Sequence, residues 1–327
     1  MPLFIGGGVI GVLVIGLLVF LGVKALGGDD DPVTKPTNQP TTGPETPGGD
    51  SAGGELGNAT GQAKTATDKL QGDGYQCSDL FNGEQGAHRG CFKYDGATSA
   101  EVIFQFQPDG TVIGVLIRSE NSDNVNNAAV TFDAAVQAIG NDAFGGSEVA
   151  KVQQFVKGGQ KSGKVGSTWG EFEVRNNGDT LQLSGGKSGS DSYELPRKQF
   201  QTTEAQLNAA LKPKKYTCST SCRKKVGEYG SQTIFGFGSA NSGIRSLEIR
   251  ATGESADVKA AIPAATADAF AVLKGPEVAA LKEWVKSHSD GKSYAAYVAG
   301  WRVEATASDS SSFTSQTISI SYESFYV

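Results

Sequence analysis

Two histidines, four cysteines and one methionine are all that 327 residues contain of those types. His88 and His288 sit in unmatched surroundings, so a histidine metal set and a serine–histidine–acid arrangement both lack footing. HExxH, GxSxG and SxxK with its companions are missing, and Ser78 and Ser219, each following a cysteine, have no matched base. These gaps leave no catalytic signature, and the chain reads as a non-enzyme. No cysteine precedes Cys77, so a lipid-modified N-terminal cysteine is not expected. No charged residue precedes Lys24, so the basic n-region of a signal peptide is missing.

What stands there instead is an apolar run, "PLFIGGGVIGVLVIGLLVFLGV". At about 1.5 Å per residue it reaches roughly 33 Å, enough to cross a hydrocarbon core, and it exceeds the h-region of a cleavable signal. The expectation is an uncleaved transmembrane anchor over residues 1–26, with the membrane as a partner. Lys24 alone would place the C-terminal side inside. The acidic Asp29, Asp30 and Asp31, the stalk that follows and the cysteines favour an extracytoplasmic placement at the cell surface. Residues 27–58, rich in Pro, Thr and Gly, have almost no apolar side chain to bury and read as a disordered stalk.

From residue 59 onward the chain is written twice, with repeats at 59–192 and 193–327. "TGQAKTATDKLQGDGYQCS" aligns with "QTTEAQLNAALKPKKYTCS", pairing Leu70 with Leu211, Tyr75 with Tyr216 and Cys77 with Cys218. "VIFQFQPDGTVIGVLI" aligns with "TIFGFGSANSGIRSLE", pairing Phe104 with Phe235 and Phe106 with Phe237. Period-two spacing around Pro108-Asp109-Gly110 predicts a β-hairpin with one buried face, and all four phenylalanines read as core. A third block pairs Val152 with Leu281, Phe155 with Trp284 and Phe172 with Trp301, predicting a helix begun at Ser147 or Pro276 and then a strand. "TLQLS" and "TISIS" supply a last strand. A further helix, "NAAVTFDAAVQAIGNDAF", has its counterpart in "VKAAIPAATADAFAVL", interrupted at Pro263. Each repeat thus reads helix, cysteine pair, hairpin, helical segment, helix, two strands. The fold class is α+β, a tandem duplication with an antiparallel sheet per repeat and helices on one face.

Duplication favours pairing within repeats, Cys77 with Cys91 and Cys218 with Cys222, in an oxidising compartment. A zinc site is the alternative, opposed by the unequal cysteine spacings and unmatched histidines. His88, inside the longer cysteine loop, reads as an exposed loop histidine. Gly158, Gly163 and Lys164 have the GxxxxGK spacing of a phosphate loop, but a helix precedes them, a strand follows and Val165 replaces the Ser or Thr that holds magnesium. The stretch reads as a turn between helix and strand, and no nucleotide or other cofactor is expected. Lys212, Lys214, Lys215, Arg223, Lys224 and Lys225 form a candidate anionic-ligand patch in a chain of net charge −6. Nucleic acid is not expected as a partner of an exported acidic chain.

The order of short helix, "GDGYQCS" or "KKYTCS", second cysteine and hairpin resembles uncharacterised exported, membrane-anchored proteins of actinobacteria. The resemblance implies a cell-envelope location and brings no catalytic residue or cofactor. The duplication with one disulfide per half is also similar in outline to secreted proteinaceous inhibitors, from whose helix-loop-helix and four strands the order derived above departs. The function expected is a membrane-anchored binding protein of the envelope, meeting a polymer or protein partner. An exported hydrolase using carboxylates is the rival.

Overall fold

The computed structural model describes residues 59–83, 86–121, 123–191, 198–238, 242–310 and 313–322, all within one compact unit. The expected anchor and stalk lie outside them, and among the described residues no helix is long and apolar enough to cross a membrane.

The first half runs α1 (Gly61–Gly72), β1 (Gln76–Gly83), β2 (Gly86–Asp95), β3 (Thr98–Phe106), β4 (Val112–Asn121), α2 (Val125–Ala143), α3 (Gly146–Lys157), β5 (Ser162–Gly166), β6 (Gly170–Asn176) and β7 (Thr180–Lys187). The second runs α4 (Glu204–Leu211), a 3₁₀ turn (Lys212–Lys214), β8 (Thr217–Cys218), β9 (Cys222–Val226), β10 (Gly230–Gly238), β11 (Ile244–Gly253), α5 (Ser255–Phe270), α6 (Val278–Ser287), β12 (Tyr294–Val298), β13 (Trp301–Asp309) and β14 (Thr314–Ser321). Local chemistry sets several of these. In α1, Ala63, Ala66, Thr67 and Leu70 recur at helical spacing and are buried. A capping box between Thr203 and Gln206 starts α4, and the Asn124 side chain accepts the Asn126 amide at the head of α2.

Each half is a seven-stranded antiparallel sheet, ordered β1-β2-β3-β4-β7-β6-β5 and, with the same topology, β8-β9-β10-β11-β14-β13-β12. The α+β class and the duplication hold, but each repeat has more strands than the sequence suggested. The cysteines do not precede a hairpin; they form rungs of one, since Cys77 faces Cys91 across β1 and β2 and Cys218 faces Cys222 across β8 and β9. Both pairs are disulfide-bonded with Cα atoms 4.0 Å apart. The GxxxxGK stretch is not wholly a turn either, because Ser162–Gly166 is the edge strand β5, with Lys164 opposite Glu173. Helix α5 continues through Pro263, which is exposed, so the carbonyl freed by the missing amide belongs to the exposed Lys259.

The helices of each half cover one sheet face and enclose a separate core. Val102, Phe104, Val115 and Ile117 lie in the first, and Ile234, Leu247, Ile249 and Ile318 in the second. A third cluster joins the halves: Leu80, Phe92, Ile103 and Leu116, on the other face of the first sheet, pack against Ala295 and Tyr297 of β12. β3 is therefore buried along both faces, unlike the half-buried strand its alternation suggests.

Polar groups fasten the same contact. Glu101, 2% exposed, accepts from the Tyr297 hydroxyl and from Arg302 Nε at 3.2 Å, while the Arg302 guanidinium lies 4.3 Å from the Phe92 ring centroid. The Gly300 amide donates to Ser78 Oγ at 2.8 Å, and Trp284 Nε1 to Gln76 Oε1 at 3.0 Å. Gly90 permits the approach, since a Cβ there would meet the Tyr297 ring at 2.8 Å.

Ser78, Leu80 and Gly90 all fall inside the Cys77–Cys91 loop, so the segment that repeat two lacks is the seat on which repeat two docks. His88 is in that segment and is fully buried, correcting the reading of an exposed loop histidine. Across the sheet from it, the Arg89 side chain is buried and donates to Asp79 at 2.9 Å and to Thr67 at 2.9 Å.

Two outcomes follow. In the chain-entropy account, closing a loop of separation 14 stabilises by about 3 kcal/mol and one of separation 4 by about 2 kcal/mol. Denaturant unfolding of Cys77→Ser/Cys91→Ser should show the larger loss and Cys218→Ser/Cys222→Ser the smaller. Burial holds the His88 imidazole down to about 4, from 6.5. Between these values the unfolded chain carries a proton that the folded chain does not, so stability rises with pH, by at most about 1.4 kcal/mol per unit. Unfolding free energies measured across that window should slope less in His88→Asn than in the parent.

Candidate functional site

The cysteine rungs also fix how the two repeats correspond. Cys91 stands opposite Val102, and Cys222 opposite Ile234, so Val102 matches Ile234 and Ile103 matches Phe235. The alignment on phenylalanines, Phe104 with Phe235, is one residue out of register, and in a strand one residue exchanges the faces. Phe104 and Phe106 accordingly lie under the helices of the first half. In β10 the helix-facing positions belong to Ile234 and Gly236, where a Cβ on Gly236 would meet Leu207 and Ile244. Phe235 and Phe237 point to the opposite face, with ring centroids 6.4 Å apart; Phe235 is half-buried and Phe237 is 54% exposed. The expectation that both are core residues is corrected.

That face of the second sheet is polar around the aromatic pair. Thr233 stands between Arg223 on β9 and Arg250 on β11, both exposed, which places each arginine diagonally beside Phe235 at about 7–8 Å between backbone positions. Arg245 occupies the irregularity of β11, between Ser246, opposite Phe237, and Ile244, opposite Gly238. Its Nε is buried without a hydrogen-bond partner. Glu248, opposite Phe235, is the acidic neighbour.

Ion pairing separates these arginines from the rest. Arg89, Arg118, Arg175 and Arg302 each pair with a carboxylate, to Asp79, Glu101, Glu173 and both Glu101 and Glu304 respectively. Among the described residues Arg223, Arg245 and Arg250 have no ion pair, and all three flank β10. Arg223 donates to Ser231 Oγ at 3.0 Å, a neutral acceptor that leaves its charge uncompensated.

The six basic residues singled out in the sequence do not share one surface. Strand alternation sends Arg223 and Lys225 to the open face and Lys224 to the other, where its ammonium lies 5.4 Å from the Tyr216 ring centroid. Lys214 pairs with Asp268 at 2.7 Å, and that carboxylate also accepts from the Tyr216 hydroxyl at 3.1 Å. Burial, with Asp268 adding to it, pushes the Tyr216 hydroxyl pKa well up. Lys212 and Lys215 are exposed at the end of α4. Arg245 and Arg250 went unnoticed in the sequence, being separated from the basic run by β10. Aligning the repeats on the cysteine rungs instead of the phenylalanines would have brought them forward.

Two other places invite a site. Glu101 and Glu304 converge on Arg302, but Tyr297 and Arg302 claim Glu101 Oε1, and the pair belongs to the contact between halves. A groove of about 170 Å³ between α2 and α3 is lined by Ala129, Phe132, Val136, Val152 and Val156 and is apolar. Among the described residues no group of three or more His, Cys, Asp or Glu side chains could hold a metal ion. No protein-family model matches this chain, and neither a curated protein nor a solved structure matches it.

Proposed function

We propose that the protein is a non-enzymatic binding protein of the cell envelope, held by the apolar segment 1–26, with the two repeats outside the membrane and an anionic ligand taken on the open face of the second sheet. The observation that carries the reading is the coincidence of arginines 223, 245 and 250, which have no ion pair among the described residues, with the half-buried Phe235 and exposed Phe237 in a chain of net charge −6. Unpaired guanidiniums offer planar donors for carboxylate or phosphate, and the exposed Phe237 with the half-buried Phe235 provides apolar area beside them. Two disulfides agree with an oxidising location.

The oxidised 59–327 fragment should be retained on envelope preparations and released by salt, because contacts between exposed charges are screened. Arg223→Glu/Arg250→Glu and Phe235→Ser/Phe237→Ser should each weaken retention at least about tenfold, near 1.4 kcal/mol. Their thermal unfolding should stay close to the parent's, since three of these four side chains are exposed. Retention unchanged by both variants would remove this face from the proposal.

A further inference from the structure

The binding face adjoins a strand edge that the first repeat keeps covered. β3 is paired with β2 along its whole length, from Thr98 opposite Asp95 to Phe106 opposite Ala87. β10 pairs with β9 only from Gly230 to Ile234, leaving Phe235, Gly236, Phe237 and Gly238 without a paired strand on that side among the described residues. The cause is the cysteine loop. With separation 14 it gives a hairpin running to Gly83 and Gly86; with separation 4 it turns back immediately after the disulfide rung.

We propose that this vacant lane takes an extended, acidic segment of a partner polypeptide as an added β-strand in line with β9. The inference rests on the reading of the open face as the binding surface and specifies the partner and its conformation. The first repeat shows what fits there, since residues 87–90 of β2 occupy the corresponding lane against β3 as extended chain. Backbone amides and carbonyls along Phe235–Gly238 supply the ladder, while side chains of the incoming strand alternate between the two faces. Those on the open face meet Phe235 and Phe237 with Arg223 and Arg250 diagonally beside Phe235, so acidic side chains at these positions are matched in charge. On the helix-facing side Leu207 and Ile244 already close over Gly236, so the other set of side chains has to be small there. A second copy of this chain is a poor occupant, because β10 carries no charged residue and would leave the neighbouring arginines uncompensated.

The test uses the oxidised 59–327 fragment and three fluorescein-labelled octapeptides: alternating Val and Glu, alternating Val and Lys, and the Val–Glu peptide with alternate backbone amides N-methylated. Fluorescence polarisation should show the Val–Glu peptide binding at least tenfold tighter than either control. Hydrogen exchange should slow in residues 235–238 on its addition. Equal binding of the N-methylated peptide, without protection of 235–238, overturns strand addition while leaving the charged aromatic face in place. Failure of the Val–Glu peptide to bind, with the envelope retention described above still sensitive to Arg223→Glu/Arg250→Glu, also overturns it and favours an anionic polymer. Concentration-dependent dimerisation that itself protects 235–238 replaces the partner with a second copy. Loss of both peptide and envelope binding overturns the two readings together.

Discussion

The disulfide rung across the first hairpin of each repeat is the constraint on which the remaining arrangement turns. It bonds directly opposed residues, Cys77 to Cys91 and Cys218 to Cys222, and so sets the register of the strands that follow. What differs between the repeats is how far the chain travels before returning. The long return builds a hairpin whose strands, with Leu80 and Gly90, seat Tyr297 of the other half. The short return builds almost no hairpin, and the second sheet keeps an open face and a half-unpaired β10. One loop length therefore decides both which surface is sealed inside the molecule and which is left to meet something else.

Duplication without symmetry is the result. The face of sheet one carrying Ile103 is covered by β12, whereas the matching face of sheet two leaves Phe235 half-buried and Phe237 exposed. The contact is heterologous: the surface that repeat two offers, β12 and β13, is not the surface that receives it. At the matching edge of repeat one, Lys164 and Gly166 stand on β5, where repeat two has Ala295 and Tyr297 on β12. Lysine and glycine at those positions lack the apolar surface that Ala295 and Tyr297 bring to the contact in repeat two.

Electrostatics divides the molecule in the same way. Arginines near the junction are compensated, with Arg302 and Arg118 on Glu101 and Arg89 on Asp79. A charge buried there without a partner would cost several kcal/mol. The arginines around β10 carry no such compensation, and partial exposure makes that tolerable. Their uncompensated charge on an acidic protein is the physical basis of the proposed binding role.

The amino-acid order alone determined the duplication, the α+β class, the helices and the pairing of the cysteines, because each rests on local periodicity or on counting. Strands β1, β2, β5, β8, β9 and β12 were not legible, since short or glycine-rich strands lack a clear alternation; only their neighbours make them strands. The basic run was legible as charge but not as a site, for alternation divides Arg223 and Lys225 from Lys224, and Asp268 takes Lys214. Phe235 and Phe237 look like core from their spacing, and a one-residue shift in register, visible only from the cysteine rungs, turns them outward. Tertiary structure alone decided which sheet face is covered, because burial of Ile103 and exposure of Phe237 depend on where the other half docks, and no local pattern encodes that.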